Sequence, residues 1–463
     1  MLGTLRRFSR ATSPGVWVIL LLAIFSSLAI AWLRGPRREN LQYWIFAKQH
    51  KVIYQDMIDQ WNRTHPDHRV EMSLLNVPVM TQRMMSGFLS NTPVADVLEV
   101  EKQSAGGAFT GPLENVGFVD LTDRLKNEGL IEGINGPSFG PWTSRGRIFG
   151  IPHDVHPVML LYRADLVEAA NIDVTKIETW DDFFRVMRPL MQDLDHDGRP
   201  DRYLLNASPT DPNTVELLLL QAGGALFDEN EKPVMNSEVN ARTFARLVPW
   251  FVGPNRACRF AQADQNASAQ QIILDGLVVA VLTPDWLCGT LKQQVPALAG
   301  KVKLIPLPAF DPGGRRTSVW GGTMLGISKA SRTPEIDWEF AKAIYLSPQM
   351  AESLYRATYI VSPIKANWNN PIYDEPNAFF SGQPVGRLYL KLAPDVPRRP
   401  SSPYNQQAIG KLAATLSALV TYADDKQIYD PVALQPIAQS YLDVAQRELQ
   451  AVINRNAFLA SKP

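Results

Sequence analysis

The 463-residue sequence predicts an α/β protein in two lobes behind an apolar N-terminal segment. Three observations lead there. The length exceeds what a single hydrophobic core usually serves, so two domains are expected. From residue 41 onward, short apolar runs alternate with stretches of helical spacing, the pattern of a parallel sheet with helices on its faces. Ahead of them lies an uncharged stretch, Val16 to Leu33, about 18 residues long and able to cross a bilayer core as a helix.

That stretch is flanked by Arg6, Arg7 and Arg10 on one side and by Arg34, Arg37 and Arg38 on the other. Charge at both ends leaves its orientation undetermined. Its length favours an uncleaved anchor over residues 1–38, while Ala29-Ile30-Ala31 also fits the cleavage site of a signal segment. Leu41 to Phe46 reads as a buried strand, Lys51 to Trp61 as a helix, Arg69 to Leu75 as a strand, Val79 to Leu89 as a helix and Val94 to Val100 as a strand. Two short strands surround His153-Asp154, at Ile148 to Pro152 and Val158 to Tyr162. Helical spacing then returns at Ala164 to Ala170, Trp180 to Met191, Val215 to Ala222 and Val239 to Phe251. Leu277 to Leu282, Val302 to Pro306 and Met324 to Ile327 are later strands, and Leu434 to Ile453 is a long terminal helix.

Composition narrows the function. Lys+Arg and Asp+Glu both number 46, and the absence of a basic excess argues against nucleic acid as a partner. The 11 tryptophans suit packing and a binding cleft together, because a buried indole N–H requires an acceptor. Cys258 and Cys288 are the only cysteines; they read either as a disulfide of an exported domain or as two buried thiols. No nucleophile elbow or phosphate-binding glycine loop occurs.

Several separated segments match one family pattern in order. They are Leu41-Gln42-Tyr43-Trp44, Gly150-Ile151-Pro152-His153-Asp154, Leu161-Tyr162-Arg163-Ala164-Asp165-Leu166, Thr179-Trp180-Asp181-Asp182-Phe183, Gln221-Ala222-Gly223-Gly224 and Trp320-Gly321-Gly322. Over about residues 41 to 450 the chain resembles bacterial extracellular solute-binding proteins, and among them the carbohydrate receptors of ABC importers in the maltose-binding-protein class. The resemblance implies a periplasmic-binding-protein-like fold of two α/β lobes with a hinge and an interlobe cleft. By analogy, residues 39–155 with 300–375 form the first lobe, and 156–299 with 376–463 the second. The usual member carries a lipid-modified cysteine at its mature start; no Cys stands near residue 38 here.

A sugar site calls for aromatic platforms and planar polar groups at strand ends. Trp286, after a strand, and Trp320 are the candidate platforms, with Asp285 as an acceptor of sugar hydroxyls or a helix cap. Gly321 and Gly322 permit close backbone approach. Glu99 and Glu101 follow the third strand, Lys48 and Gln49 the first; Asp154 sits near the crossover, and Tyr404 matches a family position that stacks on sugar. Separately, Asp193, Asp195, Asp197 and Asp201 with Gly198 carry the spacing of a Ca²⁺ loop, although Leu204 stands where a complete loop has Glu. Structural Ca²⁺ and a solvated acidic turn are both open.

The expectation is a non-enzymatic receptor on the extracytoplasmic side, held at the membrane by its N-terminal helix or released to the periplasm. It would bind a sugar, oligosaccharide or polyol and deliver it to ABC permease subunits. The rivals are an anchored glycosidase or lyase, with carboxylates such as Glu99 and Asp154 as its pair, and a sensory module.

Overall fold

The computed structural model describes residues 13–32, 40–90, 92–259 and 267–456. Helix α1 (Pro14–Trp32) opens it, with exposed apolar side chains from Val16 to Leu28. Its flanking arginines lie outside the described residues. No helix among the described residues is long and apolar enough to cross a membrane.

The first lobe begins as the apolar pattern predicts: β1 (Leu41–Ile45), α2 (Lys48–Thr64), β2 (Val70–Leu74), α3 (Val77–Ser90), β3 (Val97–Glu101) and α4 (Lys102–Ala108). Helix α2 buries His50, Tyr54, Ile58 and Trp61, spaced four, four and three apart on one face. After β4 (Ile151–Pro152) the chain enters the second lobe through β5 (Val158–Arg163). There follow α5 (Trp180–Met187), β6 (Tyr203–Asn206), α6 (Pro212–Gln221), α7 (Glu238–Phe251), β7 (Cys258–Arg259), β8 (Val278–Pro284), α8 (Asp285–Gln294) and β9 (Val302–Pro306). The chain then returns to the first lobe as β10 (Thr323–Ile327) and α9 (Pro334–Tyr345). It ends with α10 (Pro348–Thr358), α11 (Asn405–Lys426) and α12 (Pro431–Asn454). Helix starts follow local chemistry: Thr179 and Asp182 form a reciprocal capping box on α5, and Asp211 accepts from two backbone N–H groups ahead of Pro212 on α6.

Two five-stranded sheets result, in the orders β2-β1-β3-β10-β4 and β9-β5-β8-β6-β7. In the first, β1 runs parallel to β2 and β3, while β10 is antiparallel to β3. Each sheet is buried on both faces. Tyr43 and Ile45 enter one core cluster and Trp44 the other; Leu160 and Met159 divide the second lobe in the same way. One boundary needs correction. Val302–Pro306 was expected in the first lobe, yet β9 pairs antiparallel with β5 in the second sheet. Tyr355, Tyr359, Val361, Ile372 and Tyr373 also pack with Leu161 and Val281, while Ile364 between them packs on the first lobe. The segment 300–375 therefore serves both lobes, and β10 with α9 is the part that completes the first sheet and its covering layer.

Candidate functional site

The lobes meet along a hinge and a pocket. At the hinge, residues 153–157 and 319–322 run side by side, joined by the Pro157–Val319 bridge. His156, at φ 52°, sits between two carboxylates: its Nε2 lies 3.0 Å from Asp154 Oδ2 and its Nδ1 2.6 Å from Asp285 Oδ1. All three residues are buried. Burial pushes the imidazole pKa down, but the two carboxylates outweigh it and hold it up at about 10, so the ring is a cation. Asp154 is held well below the usual carboxylate range by the same ring and His153, against the upward push of burial. Asp154 also accepts from Thr323 N at the start of β10, and Asp285 from Val361 N. One charged triad thus ties β10, α8 and the 358–361 segment together.

Behind it lies a second buried group. Glu99 Oε1 is 2.8 Å from His50 Nδ1, and Oε2 accepts from Tyr54 at 2.9 Å and Tyr345 at 3.0 Å. Tyr54 Oη is 2.9 Å from His153 Nε2, which links this group to the hinge. Burial raises the Glu99 pKa, and His50, His153 and Tyr54 together more than reverse it, leaving the carboxyl low and ionised. His50, Glu99 and His153 have ligand-type atoms close enough to hold a metal ion, yet each already has a hydrogen-bond partner within the group.

The pocket, about 360 Å³, lies between the lobes. Lys102, Gln103 and Pro141 line it from the first lobe; Asn213, Glu216, Arg399, Gln406 and Ile409 are among the residues lining it from the second. Lys102 and Glu216, both buried, pair across the gap. Burial and Arg399 lower the Lys102 pKa; burial raises that of Glu216, but Lys102 and Arg399 bring it down, so the pair stays ionic. Gly321 and Gly322, at φ 108° and 130°, turn two carbonyls toward this cluster. Gly321 O accepts from Arg399 Nη2 at 2.6 Å, and Gly322 O from Lys102 N at 3.0 Å. The arrangement offers amides, a guanidinium and a carboxylate around a volume that suits a small solute.

Residues 47–351 match the sequence profile of the bacterial extracellular solute-binding protein family. The chain belongs to that family. This solute-binding protein is 23% identical over 363 residues to the arabinooligosaccharide-binding protein of Halalkalibacterium halodurans, covering 77% of this chain and 79% of the relative. It is 23% identical over 330 residues to that of Bacillus subtilis, covering 70% and 73%. Its fold matches the sugar-binding protein MalE of Xanthomonas citri with a TM-score of 0.70 at 14% identity, over 90% of this chain and 99% of that one. A binding protein of B. animalis subsp. lactis solved with β-1,6-galactobiose aligns with a TM-score of 0.64 at 17% identity, over 89% and 98%.

The residues singled out from sequence fall unevenly around the pocket of this solute-binding protein. Gly321 and Gly322 do not line it; their carbonyls hold Arg399 and the Lys102 backbone behind it, and Glu101 is near enough to feel the charges of Lys102, Arg399 and Glu216. Glu99, Asp154 and Asp285 instead carry the buried networks just described, with their oxygens bonded inside the protein, so they are corrected from solute contacts to internal supports. Trp286 and Trp320 meet edge to face at 5.9 Å, with Trp286 Nε1 donating to Trp320 O at 3.1 Å; they brace the hinge, and neither borders the pocket. Tyr404 is buried in the second-lobe core and its hydroxyl accepts from Asn456, so its ring supports Asn405 rather than lining the pocket. Lys48 and Gln49 are exposed, Gln49 reaching Gln293 at 3.4 Å across the lobe boundary.

Away from the pocket, Asp193, Asp195 and Asp197 bring carboxylate oxygens within 4.8 Å of one another. Asp201 does not join them; it accepts from Leu194 N and Asp195 N. The disulfide reading is corrected: Cys258 and Cys288 are both free and buried, in separate core clusters, with Cys288 Sγ 3.2 Å from Tyr389 Oη. Sequence reasoning missed Lys102, Glu216 and Arg399. Glu216 did leave a signal, as the lone charge within Val215-Glu216-Leu217-Leu218-Leu219-Leu220.

Proposed function

We propose that this chain is the receptor of an ABC importer for an oligosaccharide, capturing it in the interlobe pocket and presenting it to permease subunits. The observation that carries the reading is a pocket whose polar lining comes from both lobes and includes a charge pair spanning them, so that the two halves close around a common solute. The names of the curated relatives, arabinooligosaccharide-binding proteins, support the solute class. Helix α1, with its exposed apolar side chains, is proposed as the tether that keeps the receptor near its permease on the extracytoplasmic face.

Catalysis is not part of the proposal. The two carboxylates suggested as a glycosidase pair, Glu99 and Asp154, are buried and bonded to His50, two tyrosines, His156 and Thr323 N, not facing a scissile bond. Titration calorimetry against arabino-, galacto- and malto-oligosaccharides is the test. Reversible heat with unchanged sugar supports the receptor. Neither heat nor thermal shift with any sugar rejects it, and released product restores the glycosidase.

A further inference from the structure

Arg399 is 6% exposed and lines the interlobe pocket. Its Nη2 donates to Gly321 O, whereas Nε and Nη1 are buried and meet no acceptor among the described residues. A buried cationic donor left without acceptors is costly, so the pocket's occupant is under pressure to supply them. The guanidinium is also fixed in place. A Cβ on Gly322 would stand 2.9 Å from Nη2, and one on Gly140 would stand 2.7 Å from Arg399 O, so the first lobe grips this residue from both ends.

The charges around it set what kind of acceptor fits. Among the charged side chains lining the pocket, Lys102 and Glu216 pair with each other, which leaves Arg399 as the cation without a direct ion-pair partner. Glu101 and Asp154 lie near enough for their charges to act on Arg399, but among the described residues no carboxylate makes an ion pair with its guanidinium. A neutral hydroxyl would fill the hydrogen-bond positions and leave the charge unbalanced. A dianionic phosphate would call for a second free cation, and Lys102 is engaged.

We propose that the solute carries one carboxylate per bound unit, as in an oligosaccharide containing a uronic acid, and that this carboxylate accepts from Arg399 Nη1 while a hydroxyl of the same solute accepts from Nε. The inference rests on the oligosaccharide-receptor reading above and names the chemical class within it. Charge-assisted pairing of a carboxylate with a guanidinium is among the stronger polar contacts in recognition.

The test is calorimetry on the wild-type protein with matched pairs: a galactose disaccharide and its galacturonic acid counterpart, then a galactose phosphate. The acidic disaccharide should bind at least about tenfold tighter than the neutral one, with the advantage shrinking as salt is raised. In Arg399→Gln, checked by circular dichroism for an unchanged fold, that advantage should fall to about twofold or less. Equal binding of the pair, or preference for the neutral sugar, overturns the carboxylate and leaves the receptor reading standing. Preference for the phosphate overturns it as well. If no saccharide binds, the proposal and the reading beneath it both fail.

Discussion

At the scale of single residues, the hinge triad holds a buried cation between two buried carboxylates. His156 has its pKa raised from an ordinary 6.5 to about 10 by Asp154 and Asp285. A raised pKa means that folding takes up a proton more tightly, so the contribution to stability is complete below about pH 6.5 and is lost as pH climbs through about 10. Urea denaturation across that window should show a falling midpoint, and His156→Gln should flatten the slope. The same substitution at pH 6 strips two buried carboxylates of their cation and should cost about 3–5 kcal/mol. A midpoint insensitive to both pH and substitution would mean the ring is not charged. Asp337, in α9, makes the opposite case. It is fully buried, its Oδ2 has no partner among the described residues, and burial, with Asp96 adding, lifts its pKa to about 7. A carboxyl raised above its unfolded value of 3.8 loses stability as pH rises from about 4 to 7. Asp337→Asn should therefore stabilise the protein at pH 8, by about 1–2 kcal/mol, while changing little at pH 4; a destabilised variant at pH 8 would sink that account.

At the scale of elements, periodicity was a good guide wherever an element buries its own neighbours. Tyr43, Trp44 and Ile45 sit on a strand covered on both faces, and Met350 to Thr358 show how a helix can be missed when its burial depends on distant partners such as α2 and α8. Strands β6 and β7 were not foreseen: one spans four residues, the other two, and each owes its place to pairing with residues far along the chain. Strand β9 was seen but put in the wrong lobe, because Val302–Pro306 holds no local clue that its partner is β5. The site was less legible than the fold for a related reason. Choosing residues at strand ends reached Glu101 and stopped one short of Lys102, while Arg399 arrives from a proline-flanked segment with no periodicity at all. The cysteines follow the same logic, since two clusters separated in space had only a count in sequence. With both thiols free, melting temperature should be unchanged by dithiothreitol, and unfolded protein should titrate two thiols without reductant; no titratable thiol until reductant is added would contradict the structure.

At the scale of the whole molecule, the question is what holds the halves closed. The lobes touch through the Lys102–Glu216 pair, through Ser144 Oγ and Arg145 N donating to Glu231 Oε1 at 2.7 and 2.8 Å, and through the close approach of Gly140 to Arg399. The buried pair is the contact most sensitive to charge, because Glu216 is the anion that separates Lys102 from Arg399. Glu216→Leu leaves two cations facing each other inside a low-dielectric gap, and the relief open to them is to swing the lobes apart into water. Lys102→Met combined with Glu216→Leu removes that repulsion while keeping the volume near native, and the lobes should close again. Small-angle scattering without solute should thus give a larger radius of gyration for Glu216→Leu than for the wild type, with the double variant returning toward the wild-type value. If all three scatter alike, closure is set by the hinge and not by the charges across the pocket, and the pair then acts on solute affinity alone.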